Sequence, residues 1–209
     1  MSSLSGGVSF GQGIFYMEEN KRGEIFCPCA VKEISGIRDF VCRFFISCCQ
    51  KLIDMTNEEL MRKAIELSRK NVAEGGGPFG AVIARNGEIV ATGVNRVTDS
   101  CDPTAHAEVS AIRAAASKLG TFDLSGCEIF TSCEPCPMCL GAIYWAHLDR
   151  IYYGNTKHDA AAIGFDDAFI YEELDLKPED RKLPSEHLLG NEAIQAFQDW
   201  EQKDDKVRY

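Results

Sequence analysis

Two short stretches carry the residue types that hold a reactive metal. His106-Ala107-Glu108 sets an imidazole two residues before a carboxylate, and Pro135-Cys136-Pro137-Met138-Cys139 sets two thiols in a Cys-x-x-Cys spacing. One neutral imidazole and two thiolates leave a Zn²⁺ close to neutral. Three protein ligands also leave the fourth coordination position open, which distinguishes a catalytic zinc from a structural one. A water in that position ionises with a pKa of about 7. Glu108, two residues past one ligand, can stand over the metal without binding it, take a proton from that water and pass it on. Cys133 precedes Cys136 by the same spacing. It admits two other readings: a fourth ligand that would close the zinc, or a small buried hydrophobe ending a strand.

For these groups to meet, each half must begin a helix after a strand or loop, since helix N-termini favour thiolates. The surrounding sequence supplies such elements. Thr56 with Glu59 forms a capping box, followed by Leu60, Met61, Ala64, Ile65, Leu67 and Val72 at helical spacing. After GGGPFG come GAVIAR, the turn Asn86-Gly87 and EIVATGV, a hairpin with a type I′ turn. Asp102-Pro103-Thr104 lead into a helix carrying Val109, Ile112, Ala116 and Leu119 on one side. CEIFTS then reads as a strand, PMCLGAIYWAH as a helix, RIYYG as a strand, and GNEAIQAFQDWEQ as a final amphipathic helix with Ile194, Phe197 and Trp200 inward. This alternation predicts an α/β fold, a sheet with helices on both faces.

The chain has 209 residues, 45% of them apolar, enough for one domain with an appendage. Its net charge of −10 falls entirely on residues 55–209, because residues 1–54 hold six acidic and six basic side chains. Such a surface repels phosphate backbones and favours a small uncharged substrate over nucleic acid. The longest apolar stretch, FVCRFFISCCQKLI, is interrupted by Arg43 and Lys51 and is too short for a membrane span. No secretory pattern opens the chain, so the ten cysteines read as thiols or metal ligands and the compartment as cytoplasmic. Residues 1–54, with CPC at Cys27 to Cys29 and the patch Cys42 to Cys49, are expected to be a poorly ordered N-terminal extension, or a leader absent if synthesis begins at Met55. A zinc-binding or S-acylated leader is the competing reading. Residues 55–209 are expected to form the zinc-dependent domain.

The segments GGPFGAVI, DPTAHAEVSAIR, TSCEPCPMCLGAIYWA and GFDDAFIY resemble the cytidine-deaminase-like superfamily of zinc deaminases, and within it the bacterial-type guanine deaminases. The resemblance spans nearly all of residues 56–209. It implies a three-layer α/β/α fold around a mixed five-stranded sheet, and a homodimer whose C-terminal segment is exchanged between subunits. Carried over residue by residue, it makes His106, Cys136 and Cys139 the zinc ligands and Glu108 the proton shuttle. It makes Asp167 an acid that recognises the guanine edge and assists proton movement, and Asn95 a hydrogen-bonding partner of the purine. Phe79 and Trp145 become pocket aromatics and Tyr209 an aromatic cap. The backbone amides of Ala107 and Cys136 become donors near the new oxygen. The implied reaction is hydrolytic deamination of guanine to xanthine and ammonia by a water that the zinc activates.

Three other readings compete. Guanosine deamination differs only in whether the pocket has room for ribose. A tRNA adenosine deaminase shares His-x-Glu and Pro-Cys-x-x-Cys, but sits badly with the acidic core and with GFDD. A catalytically silent zinc scaffold has no use for Glu108.

Overall fold

The computed structural model describes residues 54–208 together with four short strands near the N-terminus. The chain divides into two units, residues 1–53 and 54–209. In the first, β1 (Gly7–Phe10) pairs antiparallel with β2 (Gly13–Tyr16), and β3 (Glu18–Glu19) with β4 (Ile25–Phe26). The cysteine clusters at 27–29 and 42–49 lie outside the described residues, as does Tyr209.

The second unit opens with the predicted capping box. The Thr56 hydroxyl accepts from the Glu59 amide while the Glu59 carboxylate accepts from the Thr56 amide, and α1 (Asn57–Ala73) follows. The next two strands, β5 (Gly80–Arg85) and β6 (Glu88–Val94), form the antiparallel hairpin. Asn86 and Gly87 take φ of 52° and 80°, the left-handed pair that a type I′ turn requires. A short helix, α2 (Val97–Ser100), leads to α3 (Ala107–Leu119). Then come β7 (Glu128–Cys133), α4 (Pro137–Trp145) and β8 (Arg150–Asn155).

Strand order is β6-β5-β7-β8, with β5 antiparallel to both neighbours and β7 parallel to β8. The sheet is mixed, with helices on both faces. Alternation along the central strands divides the core accordingly. Val82, Ala84 and Phe130 pack with Leu60 and Ala64 of α1, whereas Ala81, Ile83 and Ile129 pack with Ala107, Ala111 and Ala115 of α3 and Ile143 of α4. The small-residue stripe Ala107-Ala111-Ala115 lets α3 lie close to the sheet. A Cβ at Gly93 in β6 would fall 2.2 Å from the Ala107 carbonyl oxygen, so the glycine sets how near the start of α3 can come.

Two expectations change. The sheet has four strands among the described residues, not five: after β8 the chain enters α5 (Lys157–Ala162), capped reciprocally by Thr156 and Asp159, rather than a further extended run. It continues through α6 (Ala168–Asp175) to the predicted final helix, α7 (Gly190–Gln202). That helix is amphipathic, but its apolar side is not inward. Ile194, Phe197 and Trp200 are all exposed, Phe197 by 73%. No helix among the described residues is long and apolar enough to cross a membrane.

Candidate active site

His106 and Cys136 reach the same point by the same device. Each is the residue just before a helix, in extended conformation (φ −68°, ψ 162° and φ −65°, ψ 167°), and neither side chain caps its own helix. The imidazole and the sulfur are therefore turned toward each other. Pro137 at the first position of α4 fixes the entry into that helix, and Cys139 follows one turn in, buried. His106 Nδ1 lies 3.5 Å from the Sγ of Cys136 and 3.5 Å from that of Cys139. The three ligand atoms fall within 4.8 Å of one another.

The electrostatics are those of a site prepared for a cation. The Cys136 thiol is pulled down to about 4, first by a hydrogen bond from Cys139 and then by the adjacent imidazole. The same contact with Cys136 raises His106. Cys139, which gives its proton to that shared bond and is buried, is pushed up. One imidazole nitrogen and two sulfurs at two helix N-termini fit Zn²⁺ and would hold it with three protein ligands, one fewer than a structural zinc takes.

Glu108, in the first turn of α3, is 5% exposed. Its Oε1 lies 3.1 Å from the Thr131 hydroxyl, and its Oε2 lies 3.4 Å from the Cys139 Sγ, whose one proton has the carboxylate and Cys136 as alternative acceptors. Thr131 Oγ1 is also 3.0 Å from the Cys133 carbonyl oxygen. The hydroxyl has one proton for two acceptors, so it donates to Glu108 when the carboxyl is ionised. When Glu108 is protonated, the hydroxyl can turn to Cys133 and accept from the carboxyl instead. Burial raises the Glu108 pKa, the largest influence on it. The result is a carboxyl beside the metal ligands, outside the ligand set, that can hold a proton in either state.

Cys133 stands apart from the three. It is buried, its Sγ donates to the Thr156 carbonyl at 3.6 Å, and burial first of all pushes its thiol up to about 11. A neutral thiol already engaged in this way serves packing.

Around the triad, Asn95 is buried at the end of β6, and its Oδ1 accepts from the Val97 amide at 3.3 Å. Phe79 meets Phe165 edge-to-face with ring centroids 5.0 Å apart. Asp167 immediately precedes α6, half-buried. Its pKa is raised, first by desolvation and then by the Cys136 thiolate, which places its carboxyl within the field of the ligand set. Ala107 is fully buried as the first residue of α3. Trp145 is elsewhere: it ends α4, and the rise of about 1.5 Å per residue carries it roughly 13 Å from Cys136 along the axis. It is 65% exposed.

Three contributors carry no sequence signal of their own. Thr131 reads as an ordinary strand residue and Asn71 as a polar helix position. Tyr171, whose hydroxyl donates to the Pro135 carbonyl at 3.3 Å beneath Lys157 Nζ at 4.7 Å, ties α6 to the loop that delivers Cys136. What marks the first two is a buried polar side chain: Thr131 faces Glu108, and Asn71 faces the Gly77 and Asn95 carbonyls.

Residues 54–155 match the family described as the cytidine and deoxycytidylate deaminase zinc-binding region. The chain is 49% identical over 156 residues to the guanine deaminase of Bacillus subtilis, covering 74% of this chain and all of that protein. The crystal structure of Bacillus subtilis guanine deaminase superposes with a TM-score of 0.72 over 74% of this chain and 99% of that one, at 49% identity. A guanine deaminase structure from Nitrosomonas europaea gives 0.53 at 37% identity, over 60% of this chain and 69% of that one. The tRNA-specific adenosine deaminase of Aquifex aeolicus is 35% identical over 106 residues, half of this chain and 70% of that protein. The buried carboxyl beside a His-Cys-Cys group suited to zinc, in a chain 49% identical to one relative over that protein's whole length, shows that the chain belongs to the cytidine-deaminase-like zinc hydrolases, on the guanine deaminase branch.

Proposed function

We propose that the protein hydrolyses guanine to xanthine and ammonia. The observation that carries this reading is the placement of Glu108, buried, outside the ligand set and within 3.4 Å of a ligand sulfur. Guanine is chosen over other bases because the Bacillus subtilis guanine deaminase matches over its whole length.

Zinc held by His106, Cys136 and Cys139 supplies a Lewis acid that makes water nucleophilic near neutral pH. The chain supplies the rest. Glu108 accepts the proton of the attacking water, with its raised affinity for protons as the driving feature. It passes that proton to the ring nitrogen, then takes the remaining proton of the newly added hydroxyl and delivers it to the departing amine. The Thr131 hydroxyl keeps the carboxyl aimed through both states. The first-turn amides of α3 and α4, Ala107 and Cys136 among them, have no helical carbonyl to bond and favour the oxygen that gains charge. Asn95 and Asp167 read the polar edge of the purine, and Phe79, steadied by Phe165, packs on its face. Asp167 assists as a second proton carrier.

The exposed apolar surface of Tyr144, Trp145, Leu188, Leu189 and Phe197 supports a homodimer in which the C-terminal segment crosses to the second copy. Trp145 and Tyr209 then serve as aromatic walls of a pocket completed between subunits. A cytoplasmic location and a small-molecule purine substrate, with neither nucleic acid nor membrane as partner, complete the reading. The test is ammonia release by zinc-loaded protein from guanine, guanosine, cytosine, cytidine and adenine side by side. Guanine is expected to lead. A clear preference for guanosine would replace the substrate and keep the chemistry, and turnover of none would remove both.

A further inference from the structure

We propose that Asn71 is a positioning residue for purine binding, which acts through Asn95 and the turn before Phe79. The inference rests on the reading above that Asn95 contacts the base. Asn71 lies in the last turns of α1 and is 8% exposed, as is Asn95. Its Nδ2 uses both hydrogens, one on the Gly77 carbonyl at 2.8 Å and one on the Asn95 carbonyl at 2.9 Å. Its own backbone carbonyl accepts from the Gly76 amide at 2.8 Å.

These bonds fall where the β5–β6 hairpin opens. Gly80 and Val94 are the last register partners, and beyond them only the Asn95 amide to the Phe79 carbonyl, at 3.2 Å, ties the two segments directly. An open hairpin end frays unless something closes it. Asn71 closes it from the side, bridging the segment that carries Phe79 and the one that carries Asn95.

The fit is close on the far side too. A Cβ on Gly77 would lie 3.1 Å from both Cγ and Oδ1 of Asn95, so a side chain there would crowd the residue assigned to the purine, and glycine leaves it room. Asn71 itself is not a catalytic residue: it touches neither the metal ligands nor Glu108 in any bond above. Its effect should therefore fall on substrate affinity and leave the chemical step alone.

The test is a kinetic double-mutant cycle on zinc-loaded full-length protein with guanine. The variants are Asn71→Asp, Asn71→Ala, Asn95→Ala and each Asn71 change combined with Asn95→Ala, with zinc content and thermal melting measured for all. Asn71→Asp preserves shape but sets an acceptor against two carbonyls. The expected result is a KM raised by about tenfold or more, kcat within about threefold of the parent, and zinc content unchanged. In the Asn95→Ala background the same change should move KM by a clearly smaller factor than in the parent, the part that acts through Phe79 alone. Gly77→Ala perturbs Asn95 from the opposite side and should show the same split, so it carries the test if the Asn71 variants do not fold. An unchanged KM in the folded Asn71 variants, or in Gly77→Ala, overturns the inference, and so does a full-sized Asn71 effect without Asn95. If Asn95→Ala alone leaves KM unchanged, the assignment of Asn95 to the purine fails and the inference falls with it. That result is distinct from an Asn95 effect with no Asn71 effect, which refutes the positioning role alone.

Discussion

Replacing Glu108 with Gln separates catalysis from structure at one position. The amide has nearly the shape of the carboxyl, so the Thr131 hydroxyl at 3.1 Å retains an acceptor and α3 retains its packing. What is lost is the proton carrier. General acid–base catalysis contributes about 10²–10⁴ in rate. Here one carboxyl serves both the water and the leaving amine, which argues for the upper end, or about 5 kcal/mol of barrier. Stability should move the other way. Burial raises the Glu108 pKa in the folded chain, so above the unfolded value of about 4.3 the folded state bears the cost of an ionised buried carboxyl. Gln carries no such cost. Chelated Glu108→Gln should therefore melt at or above the parent at neutral pH. The assays are kcat at saturating guanine, zinc per chain, and melting of the chelated proteins. A zinc-loaded variant that keeps kcat within about tenfold would refute the shuttle role.

Three further outcomes follow from the same geometry. Thr131→Val should keep the fold and the zinc but lower kcat by about 10–100-fold, since a hydrogen bond to a charged group is worth about 1.5–3 kcal/mol; Thr131→Ser should recover most of it, and steady-state kinetics decide. Cys133→Ala should retain one zinc per chain by elemental analysis, whereas Cys136→Ser and Cys139→Ser should lose it; zinc loss in Cys133→Ala would reopen the four-ligand reading. In chelated protein, Cys136 held near 4 is already thiolate at mildly acidic pH and loses that character only as pH falls through about 4. Its alkylation, followed by peptide mass spectrometry, should change less than about twofold between roughly pH 6 and 8, where a thiol of ordinary pKa near 8.5 gains about 75-fold.

Much of the site was legible because metal chemistry restricts residue type more tightly than packing does. His106, Cys136, Cys139 and Glu108 are legible because only a few side chains bind zinc or carry its protons, and each stands at or just inside a helix start. The Asn86-Gly87 hairpin is legible because few residues accept two successive left-handed conformations. Thr131 and Asn71 are not, since a Thr in a strand satisfies β-propensity and an Asn in a helix satisfies the polar face. Their roles exist only once β7 lies beneath α3 and α1 ends against the hairpin mouth. The orientation of α7 is not legible for a related reason: an amphipathic repeat specifies that an apolar side exists and says nothing of what meets it. The fifth strand came from the resemblance alone, and the capping box at Thr156 and Asp159 gives the local reason why a helix follows β8.

The most direct test of the whole account is turnover of guanine by the zinc-loaded protein in ¹⁸O-labelled water, with both products quantified. Hydrolytic deamination predicts one ammonia per xanthine, and a single ¹⁸O in each xanthine at the carbon that bore the amine. Chelation should abolish both and zinc restore them. Xanthine without the label, label without ammonia, or turnover indifferent to zinc would contradict it.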